Sequence, residues 1–233
     1  MKKFQVFDAS LLDRAGLNRQ AVFDLDALPA DLAAPLQAGG YAHRYRQLIL
    51  LGHAGRRLWE SVKAAEVDRE HPIDDFTVRT VRRWFAEEYP QHAYDVIYPG
   101  THAIGLQRLG QLAGWHHATP FMVGIDARWG SWFAYRAVIL ADTAFAPTGP
   151  EESEHPCNSC KDKPCIAACP ASALAGGQFD LDRCIGYRRQ AGSRCRETCI
   201  ARVSCPVGID HRYAEEQIRH SYSLSLQAIE KYY

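Results

Sequence analysis

Eight cysteines, all between Cys157 and Cys205, are the residues of this chain whose type and spacing promise chemistry. Residues 1 to 156 contain none. The first run reads Cys157-Asn-Ser-Cys160-Lys-Asp-Lys-Pro-Cys165-Ile-Ala-Ala-Cys169-Pro170, a C-x2-C-x4-C-x3-C-P spacing, and the second half is Cys184, Cys195, Cys199 and Cys205-Pro206. Thiolates are soft ligands, and gathered on tight loops they hold zinc or iron–sulfur clusters. Which chemistry applies depends on the compartment. Met1-Lys2-Lys3-Phe4 leads into Asp8, Asp13 and Arg14 instead of an apolar stretch, so no secretory leader is expected. No run approaches the roughly 18 apolar residues of a membrane-spanning helix. A cytoplasmic protein is predicted, whose thiols stay reduced and whose grouped cysteines bind metal.

The first run is similar to the bacterial ferredoxin motif C-x2-C-x2-C-x3-C-P, with two residues added in its second gap. In that motif three thiolates grip three corners of a cubane cluster, and the fourth, ahead of Pro, turns away to ligate a second cluster. Pseudo-symmetry then assigns Cys157, Cys160, Cys165 and Cys205 to one [4Fe–4S] cluster and Cys169, Cys184, Cys195 and Cys199 to another, using each cysteine once. After Pro170, Ala171-Ser172-Ala173 is expected to enter a short helix. Two four-thiolate zinc sites are the alternative. A single C-x2-C pair and two Cys-Pro endings suit clusters better. A disulfide framework does not suit the compartment.

The elements that must position these thiols are read from periodicity and breakers. Residues 1–40 read as short helical pieces with breaks, Leu11-Leu12 with Leu17, then an Ala/Leu/Pro-rich turn region ending in Gly39-Gly40. Tyr45 to Leu51 and Asp95 to Tyr98 read as strands, as do Pro120 to Ile125 and Phe133 to Leu140. Helices are predicted over 54–66, from about Phe76 to Glu88 with Asp74 or Asp75 as cap, over 103–113 and over 213–232. Residues 147–152, Pro-Thr-Gly-Pro-Glu-Glu, read as a linker. The 233 residues are 47% apolar, enough for a real core, and Lys+Arg and Asp+Glu both total 27, without the basic excess of a tight nucleic-acid binder.

Beyond the cysteines, four stretches carry a resemblance: Leu109-Gly-Gln-Leu-Ala-Gly-Trp115, Trp129-Gly-Ser-Trp-Phe133, Val138-Ile-Leu-Ala-Asp142 and Cys184-Ile-Gly-Tyr187. In this order around the Cys157 run they resemble the epoxyqueuosine reductases, and more distantly the cobalamin-dependent reductive dehalogenases, over about residues 100 to 208. The resemblance implies an α/β fold: a nitroreductase-like corrinoid-binding domain over 1–150, a bacterial dicluster ferredoxin-like module over 151–210 and a C-terminal helix over 211–233. It implies two clusters relaying electrons to cobalamin, a donor protein of ferredoxin or flavodoxin type, and reductive chemistry on a small-molecule substrate. The chain departs from the family at its catalytic acid, for no Asp follows Ile97 in Val96-Ile-Tyr-Pro-Gly-Thr-His102. Tyr98 or His102 is the candidate proton donor in its place. About 28 residues follow Cys205, in place of the large helical domain associated with tRNA binding, and tRNA is therefore not expected as a partner.

His116 and His117 are candidate contacts to a corrinoid or its cobalt, although adjacent residues point apart and a locally bonded loop histidine is the plainer reading. Trp129, Gly130, Ser131 and Trp132 offer flat faces and close backbone approach to a macrocycle, or merely close a core. Arg183, Arg188, Arg189, Arg194, Arg196 and Arg202 crowd the second cysteine half, where they offset cluster charge, dock an acidic donor or form a solvated face. Gly52-His53-Ala54-Gly55 is too short for a phosphate loop. Besides the cobalamin-dependent reductase, two other functions fit: an electron-transfer ferredoxin without cobalamin, and a corrinoid-handling protein without an outside substrate.

Overall fold

The apolar run after Tyr45 becomes the centre of a sheet. A computed structural model describes residues 4–41, 43–67 and 69–233; Met1 to Lys3, part of the segment read as lacking a leader, lie outside them. By its contacts the chain divides into two compact units, Met1–Trp115 with Phe133–Glu152, and His116–Trp132 with Ser153–Tyr233.

The first unit runs α1 (Ser10–Ala15), β1 (Arg19–Asp24), α2 (Ala30–Ala38), β2 (Gln47–Ala54), α3 (Arg57–Ala64), α4 (Pro72–Glu88), β3 (Tyr94–Tyr98), α5 (Leu106–Leu112) and β4 (Phe133–Ala141). Its four strands form an antiparallel sheet in the order β1-β2-β4-β3. Every residue of β2 is buried, which is why it reads as a continuous apolar run instead of an alternating one. It pairs with β4 from Gln47↔Ala141 to Ala54↔Phe133. Helix α3 packs on β2 and α4 on β4. The core gathers around Trp84, whose ring lies 5.0 Å from those of Phe7 and Tyr89 and 4.9 Å from Phe85. The buried Gln47 amide donates to Asp24 and the Phe145 carbonyl and accepts from Thr143 and Phe145 N–H, so its polar atoms cost little.

Three expectations need correction here. Strand β1 lies where helical pieces and then a turn region are predicted, and helix α2 occupies that turn region. The strand's burial depends on Arg19, 5% exposed, which pairs with Glu151 at 3.1 Å and lies over the Trp115 ring, partners that no local pattern reveals. Helix α4 starts at Pro72, so Asp74 and Asp75 do not cap it; they sit in its first turn, where negative charge complements the helix dipole. Strand β2 runs on through buried Gly52, His53 and Ala54, past the predicted end at Leu51, and the helix expected from 54 starts at Arg57.

The second unit is built differently. It has the short helices α6 (Pro156–Ser159) and α7 (Pro164–Ala167), then α8 (Leu181–Arg189), the short α9 (Ile200–Val203) and the long α10 (Glu215–Tyr232). Pro120 to Ile125 is not a strand: Met122 takes a positive φ of 67°, Thr119 Oγ1 bonds the Val123 carbonyl, and a lone bridge joins Ile125 to His117. The stretch after Pro170 is a set of turns with Ser172 at φ 51°, not the expected helix.

Candidate metal centre

Each short helix of the second unit carries or abuts a cysteine. Pro156 and Pro164 open α6 and α7, where a missing N–H costs nothing. Cys157 lies in α6, with its N–H donated to His155 Nδ1 at 3.2 Å, and Cys160 follows that helix. Lys163, at φ 39°, turns the chain so that Cys165 enters α7. Cys205 comes just after α9, which packs against α7. Cys157, Cys160, Cys165 and Cys205 together line one small cavity, closed by Phe121, Pro206 and Val207.

The other four meet elsewhere. Cys169 follows α7; Cys184 lies in α8, which Asp180 caps by accepting the Arg183 N–H at 2.9 Å; Cys199 precedes α9, and Cys195 sits in the loop between α8 and α9. They line a second cavity of about 330 Å³ with Leu174, Ile185, Arg188 and Tyr222. The two cavities share no cysteine.

Charge interactions follow the same partition. Burial pushes the Cys157 thiol up, and Cys205, Cys165 and Cys160 push it further. Burial likewise pushes Cys184 up to about 11, reinforced by Cys199, Cys169 and Cys195 and opposed by Arg188. Thiols held so high stay protonated at neutral pH unless a cation replaces the proton, and a metal does this. All eight are free of disulfides. Among the described residues, no three His, Cys, Asp or Glu side chains stand as a ready site for a single metal ion.

The remaining candidates divide between the units. In the first, Tyr98 ends β3, half-buried; burial pushes its phenol up, Arg136 pulls it down and Asp74 adds a smaller upward push. Arg136 Nε donates to Nδ1 of the wholly buried His53 at 2.9 Å. Sequence reading missed this pairing, because the two residues come from different strands. His102 is exposed, its Nε2 2.5 Å from the Tyr41 hydroxyl.

In the second unit, burial and His117 hold His116 below the usual histidine range. His117 bonds Ser153 at 3.0 Å and lies 5.0 Å from the His155 ring; it is lowered by burial and His155. Asp126 Oδ1 accepts the N–H groups of Arg128 and Trp129, shaping the loop that follows. Half-buried Trp129 packs on His211. Gly130 takes a positive φ of 61° and approaches Val207 so closely that a Cβ would fall 2.0 Å from its carbonyl oxygen. Ser131 and Trp132 are wholly buried; Ser131 accepts from Arg202, and the Trp132 ring lies under the Arg202 guanidinium and edge-to-face with Tyr213. Gly130, Ser131 and Trp132 are thus buried within this unit.

No family model matches the sequence, and neither does any curated protein. Solved structures do. Epoxyqueuosine reductase from Bacillus subtilis superposes with a TM-score of 0.56 at 15% identity, over 88% of this chain and 66% of that one. An epoxyqueuosine reductase solved with an epoxyqueuosine-modified tRNA stem loop gives 0.56 at 15% identity, over 90% and 67%. The chain has the epoxyqueuosine reductase fold. It spans about two thirds of the length of those structures. The catabolic reductive dehalogenase NpRdhA superposes more loosely, at 0.49 and 13% identity over 91% of this chain and 32% of its own. In this epoxyqueuosine reductase fold both units belong to the match, since it covers nearly nine tenths of the chain. Within the described residues, no helix is long and apolar enough to cross a membrane.

Proposed function

We propose that this protein is a cytoplasmic iron–sulfur reductase that holds two [4Fe–4S] clusters and passes electrons to a bound cobalamin for reductive chemistry on a small substrate. The observation that carries the reading is the sorting of eight cysteines into two sets of four around separate cavities, on a chain with the epoxyqueuosine reductase fold. Cys157, Cys160, Cys165 and Cys205 would hold one cluster; Cys169, Cys184, Cys195 and Cys199 would hold the other. The donor set fits, being all thiol and in cluster-sized groups of four. Electrons would come from a low-potential donor of ferredoxin or flavodoxin type.

Cobalamin, when bound, would supply the reducing cobalt chemistry. His116 and His117 suit it as candidate contacts, because an imidazole held neutral keeps a lone pair for a metal. Tyr98 would supply the proton: its raised phenol stays protonated at neutral pH, and Arg136 stabilises the phenolate left behind. His102, exposed and tied to Tyr41, is the weaker donor. A tRNA substrate stays among those to test, because one matched structure holds a tRNA stem loop.

The second reading is an electron-transfer protein without cobalamin. The burial of Ser131 and Trp132 favours it, since neither has a face to offer a macrocycle. Anaerobic titration of the cluster-loaded protein with hydroxocobalamin separates the two. About one cobalt retained per chain after desalting is expected. No retained cobalt, with about eight irons still bound as two four-iron clusters require, would sink the reductase and leave the second reading. Retained cobalt with no turnover of small substrates or tRNA would mark a corrinoid-handling protein.

A further inference from the structure

The two cysteine sets are electrically unequal. Arg188 and Arg202, 7% and 8% exposed, are buried beside the second set. Arg188 lines its cavity and donates to the carbonyls of Cys195 (3.1 Å) and Tyr222 (2.9 Å) and to Ser225 Oγ (3.0 Å). Arg202 donates to Ser131 and lies 4.5 Å over the Trp132 ring and 5.3 Å over that of Tyr213. All of these acceptors are neutral. Among the described residues, neither guanidinium has a carboxylate partner. A buried cation without an anion is costly, several kcal/mol on general grounds. The anions within reach are the cysteines: Arg188 acts on Cys184, and Arg202 on Cys199.

Tyr222, from α10, completes the arrangement. It lines the same cavity, lies 5.4 Å under Arg188, and its hydroxyl interacts with both Arg202 and Cys199. The first set has a weaker positive surround: exposed Lys163 acts on Cys157, and half-buried Arg212 on Cys205.

Resting on the cluster assignment above, we propose that Arg188, Arg202 and Tyr222 are positioning residues that hold the reduction potential of the second cluster above that of the first. Reduction adds one electron, from a low-potential one-electron donor, to a cluster already made anionic by four thiolates. No bond forms or breaks. The added charge is stabilised by nearby buried cations and by a hydrogen bond to a ligand sulfur, both of which raise cluster potentials. Electrons therefore collect on the cluster of Cys169, Cys184, Cys195 and Cys199.

A potentiometric titration of the reconstituted full chain, followed by electron paramagnetic resonance, tests this. Two midpoints are expected. Cys184→Ser, which alters one ligand of the second cluster, should change the spectrum of the higher-potential species. Tyr222→Phe keeps the ring and removes the hydroxyl. It should lower the higher midpoint by about 59 mV, a tenfold fall in the reduced-to-oxidised ratio for one electron, and leave the lower midpoint in place. Arg188→Gln should lower it further. If Tyr222→Phe moves neither midpoint, or moves only the lower one, the inference is wrong while the clusters stand. Fewer than about eight irons per wild-type chain would instead overturn the cluster assignment itself.

Discussion

The two units reach stability by different routes. The first is a sheet whose strand β2 is buried throughout and whose β4 is buried from Ala137 to Ala141, with Trp84, Phe85 and Phe145 each no more than 1% exposed. The second has no multi-residue strand among its described residues, and three of its helices, α6, α7 and α9, have four residues each. Helices that short have no stability of their own, since nucleation alone costs more than one turn returns. Its apolar cluster is built from Phe121, Ile125, Leu174 and Ala201 with Cys165 and Cys205 among them. Where the first unit buries side chains against each other, the second buries thiols that are costly to ionise without metal. The lesson is that buried apolar area accounts for the first unit's core, whereas the second, with the smaller clusters around Phe121 and Trp132, leaves room for the proposed cofactor to supply part of its stability.

The sharpest way to break that contrast is to take away the iron that the proposed clusters would bring. Anaerobic chelation should abolish amide protection over residues 116–132 and 153–233 while the sheet residues keep theirs, read by hydrogen exchange. Retained protection in the cysteine unit would mean that packing alone folds it. The next largest effect belongs to the other unit. Trp84→Ala removes a wholly buried ring and leaves the Asp8 carbonyl, 2.7 Å from the indole nitrogen, without its donor. A loss of about 3–5 kcal/mol is expected in the sheet unit's exchange protection, with bound iron unchanged. An equal loss in both units would show that they unfold together and are not energetically separate.

Much of this division is legible in the sequence, for physical reasons that differ by element. β2 holds an apolar run from Leu48 to Leu51, β4 one from Ala137 to Ala141, and α4 carries its apolar residues at helical spacing, so local pattern finds all three. β1 escapes because its first residue is Arg19, whose burial is made acceptable by Glu151 far along the chain. The stretch 120–125 misleads in the opposite direction: its composition suits a strand, but Met122 adopts a left-handed backbone that ends any extended run. At the site, ligand type and loop spacing mark the eight cysteines, which is local, while only the pseudo-symmetry of the two halves groups the distant Cys205 with the first run. The neighbours that set their electrostatics are not local. Tyr222 comes from α10, and nothing in its own surroundings there marks it as facing Cys199. Nor does the Trp129–Trp132 loop announce that Ser131 and Trp132 turn inward; the Arg202 side chain that holds them belongs to the cysteine half.

The smallest effect tests whether polar groups matter at the rim of the apolar unit. Tyr45 is 3% exposed, and its hydroxyl donates to Asp95 Oδ2 at 2.9 Å. Burial, with the hydrogen bond and charge of Asp95, pushes the phenol up to about 12. A group raised in the folded state contributes stability that is complete below its unfolded value, near 10, and is lost as pH rises through the folded one. Tyr45→Phe should therefore cost about 1 kcal/mol at pH 7, the worth of one hydrogen bond. The gap to wild type should close as pH climbs above 10, because only the wild-type phenol ionises on unfolding there. Denaturant melts of the sheet unit between pH 8 and 11 would read this. A gap that stays constant across that range would mean that the phenol is no more buried electrically than a surface tyrosine, and that the unit's rim, unlike the cysteine unit, is indifferent to charge.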